Sequence, residues 1–443
     1  MTEKRLKYLK LTFKGGIHPE GKKELAKDKQ TVTMDAPSIL AVPLSQHIGA
    51  PCESIVKVGD TVKMGQKIAD SEAFVSVPVH APISGTVKAI EKKPHATMGE
   101  CMCVIIENDN EYTQDENIKP LDYTKMESEE IISAIREFGI AGMGGATFPS
   151  FIKLKVPPEK KVDTILINGA ECEPYLTSDY RLMLEEPENI IEGAKILMKA
   201  TNVKNVIIAT EDNKSDAADV LDKLCKSEDG IKVVTVKTKY PQGSEKQLID
   251  AVLKREVKAG TLPADSGVIV QNTATVAQIY RSFKTGLPLI DRIVTVSGDG
   301  IENPMNIRAK IGSSYKDLCD FAGGVKENAV KVISGGPMMG FAQHTLEVPV
   351  TKGTSGILCF SEKENKEYEE KDCIKCGRCV NHCPIKLMPF MITEYARIND
   401  MDNAVRYGLK DCIECGTCSF VCPQRRYLVQ SIRLAKLKSG GKK

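Results

Sequence analysis

VDTILINGAECEPY, residues 162–175, opens as a β-branched apolar run and ends on Asn168, Gly169, Glu171 and Glu173. Such a run forms a strand, and polar groups collect at the C-terminal ends of parallel strands, where open α/β sheets hold their ligands. The flanking sequence repeats the pattern. NVIIAT (205–210) and IKVVTV (231–236) are further strands, while 187–200, 214–226 and 244–256 have helical spacing. Strands alternating with helices give a parallel sheet. Taken alone, the Glu171 and Glu173 turn fits a solvated loop as well as a binding site.

Just upstream is GIAGMGGATFPSFIKL, residues 139–154. Gly142, Gly144 and Gly145 leave backbone N–H groups able to close around a phosphate, and Lys153 supplies a cation nearby. The loop follows a helix-like segment, Glu129 to Phe138, so it is not the Rossmann fingerprint, which follows a strand. An isolated glycine-rich turn is more often an ordinary loop.

Far downstream, CIKCGRCVNHCP (373–384) and CIECGTCSFVCP (412–423) hold eight of the fifteen cysteines in two copies of C-x-x-C-x-x-C-x-x-x-C-P. Zinc usually takes two separated pairs, so a third cysteine at the same spacing is surplus to it. A [4Fe-4S] cube suits three thiolates from one loop and a fourth from the other run. Cys373, Cys376, Cys379 and Cys422 are therefore expected on one cluster, and Cys412, Cys415, Cys418 and Cys383 on the other. Pro384 and Pro423 stop each loop. Helical spacing in 389–409 and 425–438 makes this module mostly helical. The other seven cysteines are scattered and read as small apolar residues, and the six histidines are dispersed.

A chain of 443 residues implies two to four domains, and 42% hydrophobic with 27% charged residues is ordinary for a globular protein. Sixty-one basic against 59 acidic residues leave a net charge of +2, which gives no electrostatic reason for a nucleic-acid partner. MTEKRLKYLK at the start is too charged for a secretory signal, and no apolar stretch approaches the roughly 20 residues of a membrane span. The expected location is the cytoplasm, where close-set cysteines bind metal.

GMGGATFPSFIK, NGAECEP, PQGSEKQL and QNTATVAQI are similar, in order and spacing, to the flavin and nicotinamide segments of the NADH-binding flavoprotein of respiratory complex I. With the cysteine module included, the chain resembles the RnfC family, the flavin- and cluster-bearing component of the Rnf electron transport complex. The resemblance implies non-covalent FMN, two [4Fe-4S] clusters and NAD(H). It puts the FMN phosphate at Gly142, Gly144, Gly145, Phe148, Pro149 and Lys153, and the flavin ring near Asn168, Glu171, Glu173 and Pro174. Gly243, Glu245, Asn272 and Thr273 complete the matched set. Met143, Thr147 and Ala170 depart from the complex I pattern, which has arginine, glycine and aspartate there. No catalytic side chain is expected, since hydride transfer takes place at the flavin.

The implied organisation is multidomain α/β. An N-terminal segment (1–45) precedes a biotinyl/lipoyl-like barrel-sandwich (46–110) and a Rossmann-like FMN/NADH domain (111–290). A β-grasp module of the SLBB type (291–345), a return strand with a charged linker (346–372) and a dicluster ferredoxin domain (373–443) follow. The barrel-sandwich tip reads Glu72, Ala73, Phe74, Val75, Ser76, with no lysine to carry a cofactor, so its expected role is structural or docking. GGPMMG (335–340) reads as a tight turn.

The expected function is electron transfer between NAD(H) and the clusters through FMN, in a peripheral subunit on the cytoplasmic side of the membrane. Its expected partners are the other membrane and peripheral subunits of an ion-translocating complex, with ferredoxin reached through one of them. A diaphorase subunit of a soluble hydrogenase or dehydrogenase is the alternative. So is a scaffold that has lost its cofactors, against which both intact cysteine runs count.

Overall fold

The strand read first, Thr164–Gly169, lies inside a four-stranded parallel sheet of order Ile231–Val236, Val206–Glu211, Thr164–Gly169, Val268–Asn272. Its Ile165, Leu166 and Ile167 are completely buried, as a strand covered on both faces requires. The helices Pro187–Thr201 and Thr273–Thr285 pack closely on each other, because Gly193 has no Cβ; one there would stand 2.1 Å from the Val276 carbonyl oxygen. Asn272 starts the second of these helices by accepting from the Ala274 and Thr275 N–H groups, and Gly286, at φ 77, ends it. This computed structural model describes residues 11–366 and 368–439. The charged first ten residues, Glu367 of the linker and the last four residues lie outside the described residues.

Before this sheet stands a sandwich of a four-stranded and a three-stranded sheet, built on the hairpin Gly85–His95 and Gly99–Asn108. The strand Ile39–Pro43 pairs with Gly99–Asn108, so the barrel-sandwich recruits chain from before the expected boundary at 46. After the parallel sheet comes a six-stranded sheet of order Val32–Thr33, Met305–Lys310, Asp291–Ser297, Gly356–Ser361, Ala329–Ser334, Phe341–Gln343. The expected module at 291–345 lies within this sheet and shares it with strands from outside those bounds. Its central strand comes from 356–361 and its edge strand from the N-terminal segment, because strands this short close a core only by borrowing neighbours.

The C-terminal unit is helical, with Arg378–His382, Pro389–Arg397, Met401–Arg406, Thr417–Phe420 and Leu428–Ser439 around a small core of Ile392, Ala404, Leu409 and Ile432. The N-terminal segment ties the units together. Gly16 N–H donates to the His382 carbonyl at 2.8 Å, Ile17 exchanges backbone bonds with Tyr240, and Val32–Thr33 joins the third sheet. The Lys23 amine donates to the Glu171, Glu173 and Leu176 carbonyls. Among the described residues no helix is long and apolar enough to cross a membrane.

Candidate functional site

The glycine-rich loop is closed at its base, where Gly142 N–H donates to the Phe148 carbonyl at 2.9 Å and Ser150 N–H to the Ile140 carbonyl at 3.1 Å. Gly144 and Gly145 are exposed at its crest. A Cβ on Gly144 would meet Asn272 at 3.1 Å, whereas one on Gly145, at φ +109, would meet nothing within 4 Å. Thr147, which replaces a glycine of the complex I pattern, keeps the glycine-like φ of 48 and packs against Gly353. Its carbonyl accepts from Ile48 N–H of the barrel-sandwich, and Phe74 at the lysine-free tip lies edge-on to Phe151 with centroids 6.5 Å apart. The tip therefore braces the loop's flank.

Lys153 does not stand free. Its amine is ion-paired with Glu245 and also donates to the Val270 carbonyl at 3.1 Å. Asn168 donates to the Gly243 carbonyl at 2.7 Å, tying the end of the central strand to the 240–244 turn. Thr273 is buried with its hydroxyl unpartnered, as are Gln271 Nε2 and both polar side-chain atoms of Gln242, all following the C-terminal ends of the sheet. A bare backbone crest with nothing above Gly145, next to unmatched buried polar atoms, fits a phosphorylated polar cofactor.

Glu171 and Glu173 are held inward. Glu171 accepts from Asp179 N–H at 2.7 Å and Tyr180 N–H at 3.3 Å at the start of helix Ser178–Glu185, with the Lys23 amine 3.8 Å away. Glu173 accepts from Met338 and Met339 N–H, each at 3.0 Å, and so anchors the 335–340 turn, whose Gly336 has no room for a Cβ beside it. Burial raises both carboxyls to about 7, although Lys23 opposes this at Glu171 and the two N–H groups oppose it at Glu173. Both residues shape the loop that follows Asn168, and their oxygens are engaged by protein.

The eight cysteines ring two separate cavities. Cys383, Cys412, Cys415 and Cys418 line one, with Leu387, Ile392 and Val429, and Cys373, Cys376, Cys379 and Cys422 line the other, beside Phe390. Each cavity thus takes three sulfurs from one run and one from the other. The two runs share backbone geometry: Lys375 and Glu414 have φ 53 and 56, Gly377 and Gly416 have φ 73 and 76, and Lys386 and Arg425 have φ 59 and 54. These turns aim N–H groups at sulfur. Lys375 N–H lies 3.4 Å from Cys373 Sγ, Glu414 N–H 3.4 Å from Cys412 Sγ and Leu387 N–H 3.3 Å from Cys383 Sγ. Burial pushes the Cys412 thiol up to about 11, so thiolates here need cationic iron, and a four-sulfur donor set with N–H support fits a cluster.

Tyr240 connects the two regions. It is 1% exposed, and its hydroxyl donates to the Cys415 carbonyl at 2.8 Å while standing 3.3 Å from Glu173. Gln247 donates to the Pro384 carbonyl at 3.3 Å. The cavity of Cys383 and the second run is therefore docked on the α/β unit, while Cys376 of the other cavity is exposed. Sequence reasoning passed over Tyr240, Lys23 and Lys214. Lys214 is wholly buried and donates to the Ala170 carbonyl at 2.7 Å and to Glu211 at 3.1 Å. The adjacency of Tyr240 to PQGSEKQL was the one available signal.

Models of four families match the chain: the Nuo51 FMN-binding domain over residues 135–281, the RnfC barrel sandwich hybrid domain over 11–111, the SLBB domain over 293–342 and the 4Fe-4S dicluster domain over 365–429. The C component of the Na(+)-translocating ferredoxin:NAD(+) oxidoreductase complex of Acetobacterium woodii is 49% identical over 426 residues, 96% of each chain. The proton-translocating counterpart of Clostridium ljungdahlii is 45% identical over 383 residues, 86% of this chain and 84% of that one. The C component of the ion-translocating oxidoreductase complex of Rhodobacter capsulatus is 42% identical over 428 residues, 96% of this chain and 82% of that one.

Proposed function

Because this chain belongs to the RnfC family, the C components of ion-translocating ferredoxin:NAD(+) oxidoreductase complexes, we propose that it exchanges electrons between NAD(H) and two [4Fe-4S] clusters through FMN. Bound FMN supplies the conversion between a two-electron hydride and one-electron carriers. The chain's own residues bind, orient and insulate. Gly144 and Gly145 present N–H groups to the phosphate, with Phe148 alongside, and the paired Lys153 and Glu245 hold the edge of the cradle. The Thr273 hydroxyl and the Asn168 and Gly243 turn face the remaining polar atoms of the cofactor, and Asn272 fixes the helix that starts there.

The observation that carries this reading is the Tyr240 bond to Cys415, which seats one ring of four sulfurs directly on the flavin-type domain. Cys383, Cys412, Cys415 and Cys418 would hold the cluster nearer the flavin domain, and Cys373, Cys376, Cys379 and Cys422 the outer one, with Cys376 at the surface. The relatives are named as subunits of a translocating complex. This supports other subunits of such a complex as partners, ferredoxin reached through one of them, and peripheral attachment on the cytoplasmic side.

Iron, acid-labile sulfide and flavin per purified chain test the proposal. About eight iron, about eight sulfide and about one FMN are expected. Zinc in place of iron, or a flavin-free protein that binds no added FMN, would overturn it.

A further inference from the structure

The glycine loop is held from below at one residue, through the two peptide groups on either side of it. Met143 N–H donates to Thr275 Oγ1 at 2.9 Å, and the Met143 carbonyl accepts from Arg292 Nη2 at 3.3 Å. Arg292 is 2% exposed and comes from the third sheet, on the strand Asp291–Ser297. Its Nη1 donates to the Lys352 carbonyl and its Nε to the Ile293 carbonyl at 3.3 Å. Lys352 is followed by Gly353, which packs on Thr147 at the loop's far side. One guanidinium therefore clamps both walls of the cradle, a task suited to its planar fork of five donors.

Its charge is also differently placed from that of Lys153. Lys153 is ion-paired with Glu245, whereas all three Arg292 hydrogen bonds go to carbonyls, which carry no formal charge. Asp179 lines the same small cavity, accepts from Asn272 Nδ2 at 2.6 Å, and is the nearby carboxylate that favours the charged guanidinium without a direct ion pair. Burial lowers the Arg292 pKa only to about 10, so the group is charged at neutral pH.

We infer that Arg292 is the positioning residue for phosphate recognition at this loop, fixing the Met143 peptide so that the Gly144 and Gly145 N–H groups face the phosphate and setting a positive charge beneath it. The inference rests on the FMN reading of the loop and assigns its selectivity for a phosphorylated flavin to another domain. A phosphate dianion gains from a buried cation, and a flavin without phosphate does not.

The test uses full-length protein stripped of flavin, with its iron complement checked, and titrates FMN and riboflavin separately by flavin fluorescence. Wild type should prefer FMN. Arg292→Met should weaken FMN by about tenfold or more and leave riboflavin unchanged, since hydrogen bonds from charged groups are stronger than those between neutral ones. Arg292→Lys should recover part of the loss, because the charge returns without the fork. An unchanged FMN-to-riboflavin ratio in Arg292→Met overturns the inference. Should that variant fail to keep its iron, Thr275→Val releases Met143 at its N–H instead of its carbonyl, and an unchanged ratio there overturns it equally. Wild type without FMN preference would instead refute phosphate binding by the loop itself, and the role of Arg292 with it.

Discussion

Gly145→Ala separates the cost of a glycine's backbone from the cost of filling a binding site. Gly145 sits at φ +109 with nothing within 4 Å of where a Cβ would stand, so an added methyl collides with no protein atom. The fold then loses only backbone strain, on the order of 1–2 kcal/mol for an L-residue forced into such a conformation. The open space above Gly145 is, however, where the cofactor phosphate is proposed to lie, and there a methyl excludes it. FMN at a hundred times its Kd stabilises wild type by about 2.7 kcal/mol, and the variant should lose that whole increment. Gly260→Ala is the matched control. It has φ +72 and no atom within 4 Å, but lies away from the loop. Flavin and iron per chain, and the urea midpoint with and without FMN, should show iron retained in both variants and flavin missing only from Gly145→Ala. If Gly145→Ala keeps wild-type flavin and the full FMN-dependent shift, the cradle is elsewhere. Gly144→Val is a harsher test, because its side chain also presses on Asn272 and loosens a helix cap.

Cys383→Ala should lower iron from about eight to about four per chain by removing the cluster of the second run. Cys373→Ala should remove the other one, and identical paramagnetic resonance spectra from the two variants would disprove crossed ligation. Tyr240→Phe keeps the packing but leaves the Cys415 carbonyl without its donor, at about 1–3 kcal/mol. Amide exchange over 412–418 should quicken by about tenfold, and unaltered exchange would remove Tyr240 from the docking contact. Burial raises Glu173 to about 7 against 4.5, so the folded state keeps a proton that the unfolded chain releases, and this group's penalty grows between those pH values and is constant above. The stability difference between wild type and Glu173→Gln should therefore move in favour of Gln by about 3 kcal/mol from pH 4.5 to 7, and a pH-independent difference would show that the folded state does not raise the Glu173 pKa.

The parallel sheet was legible because its strands are continuous β-branched runs, and the dicluster module because each cysteine run writes its spacing without interruption. What escaped was carried by single residues acting across long separations. A two-residue strand such as Val32–Thr33 has no periodicity to detect, yet it closes the edge of the third sheet. Glu171 and Glu173 were legible as special but not in their orientation, since nothing local says that the N–H groups of 179–180 and 338–339 will take their oxygens. Lys153 was read as a free cation because its partner Glu245 lies on another element, and Arg292 gave no signal because its acceptors are backbone carbonyls. Limits drawn along the chain do not show that one sheet draws strands from both sides of a boundary, because that pairing is set by contacts distant in sequence.

The N-terminal stitching sets a schedule for the growing chain. Gly16 bonds to His382, and Lys23 reaches carbonyls at 171–176. At roughly 5–20 residues per second, the His382 carbonyl leaves the ribosome on the order of 20 to 70 s after Gly16. For that interval the first segment has no final seat beside the last domain, and its edge strand waits for residues near 307. The cysteine runs emerge last, so the docked sulfur ring can form its seat only once the α/β unit has been made. Cluster insertion at that ring thereby follows the folding of the α/β unit on which it docks.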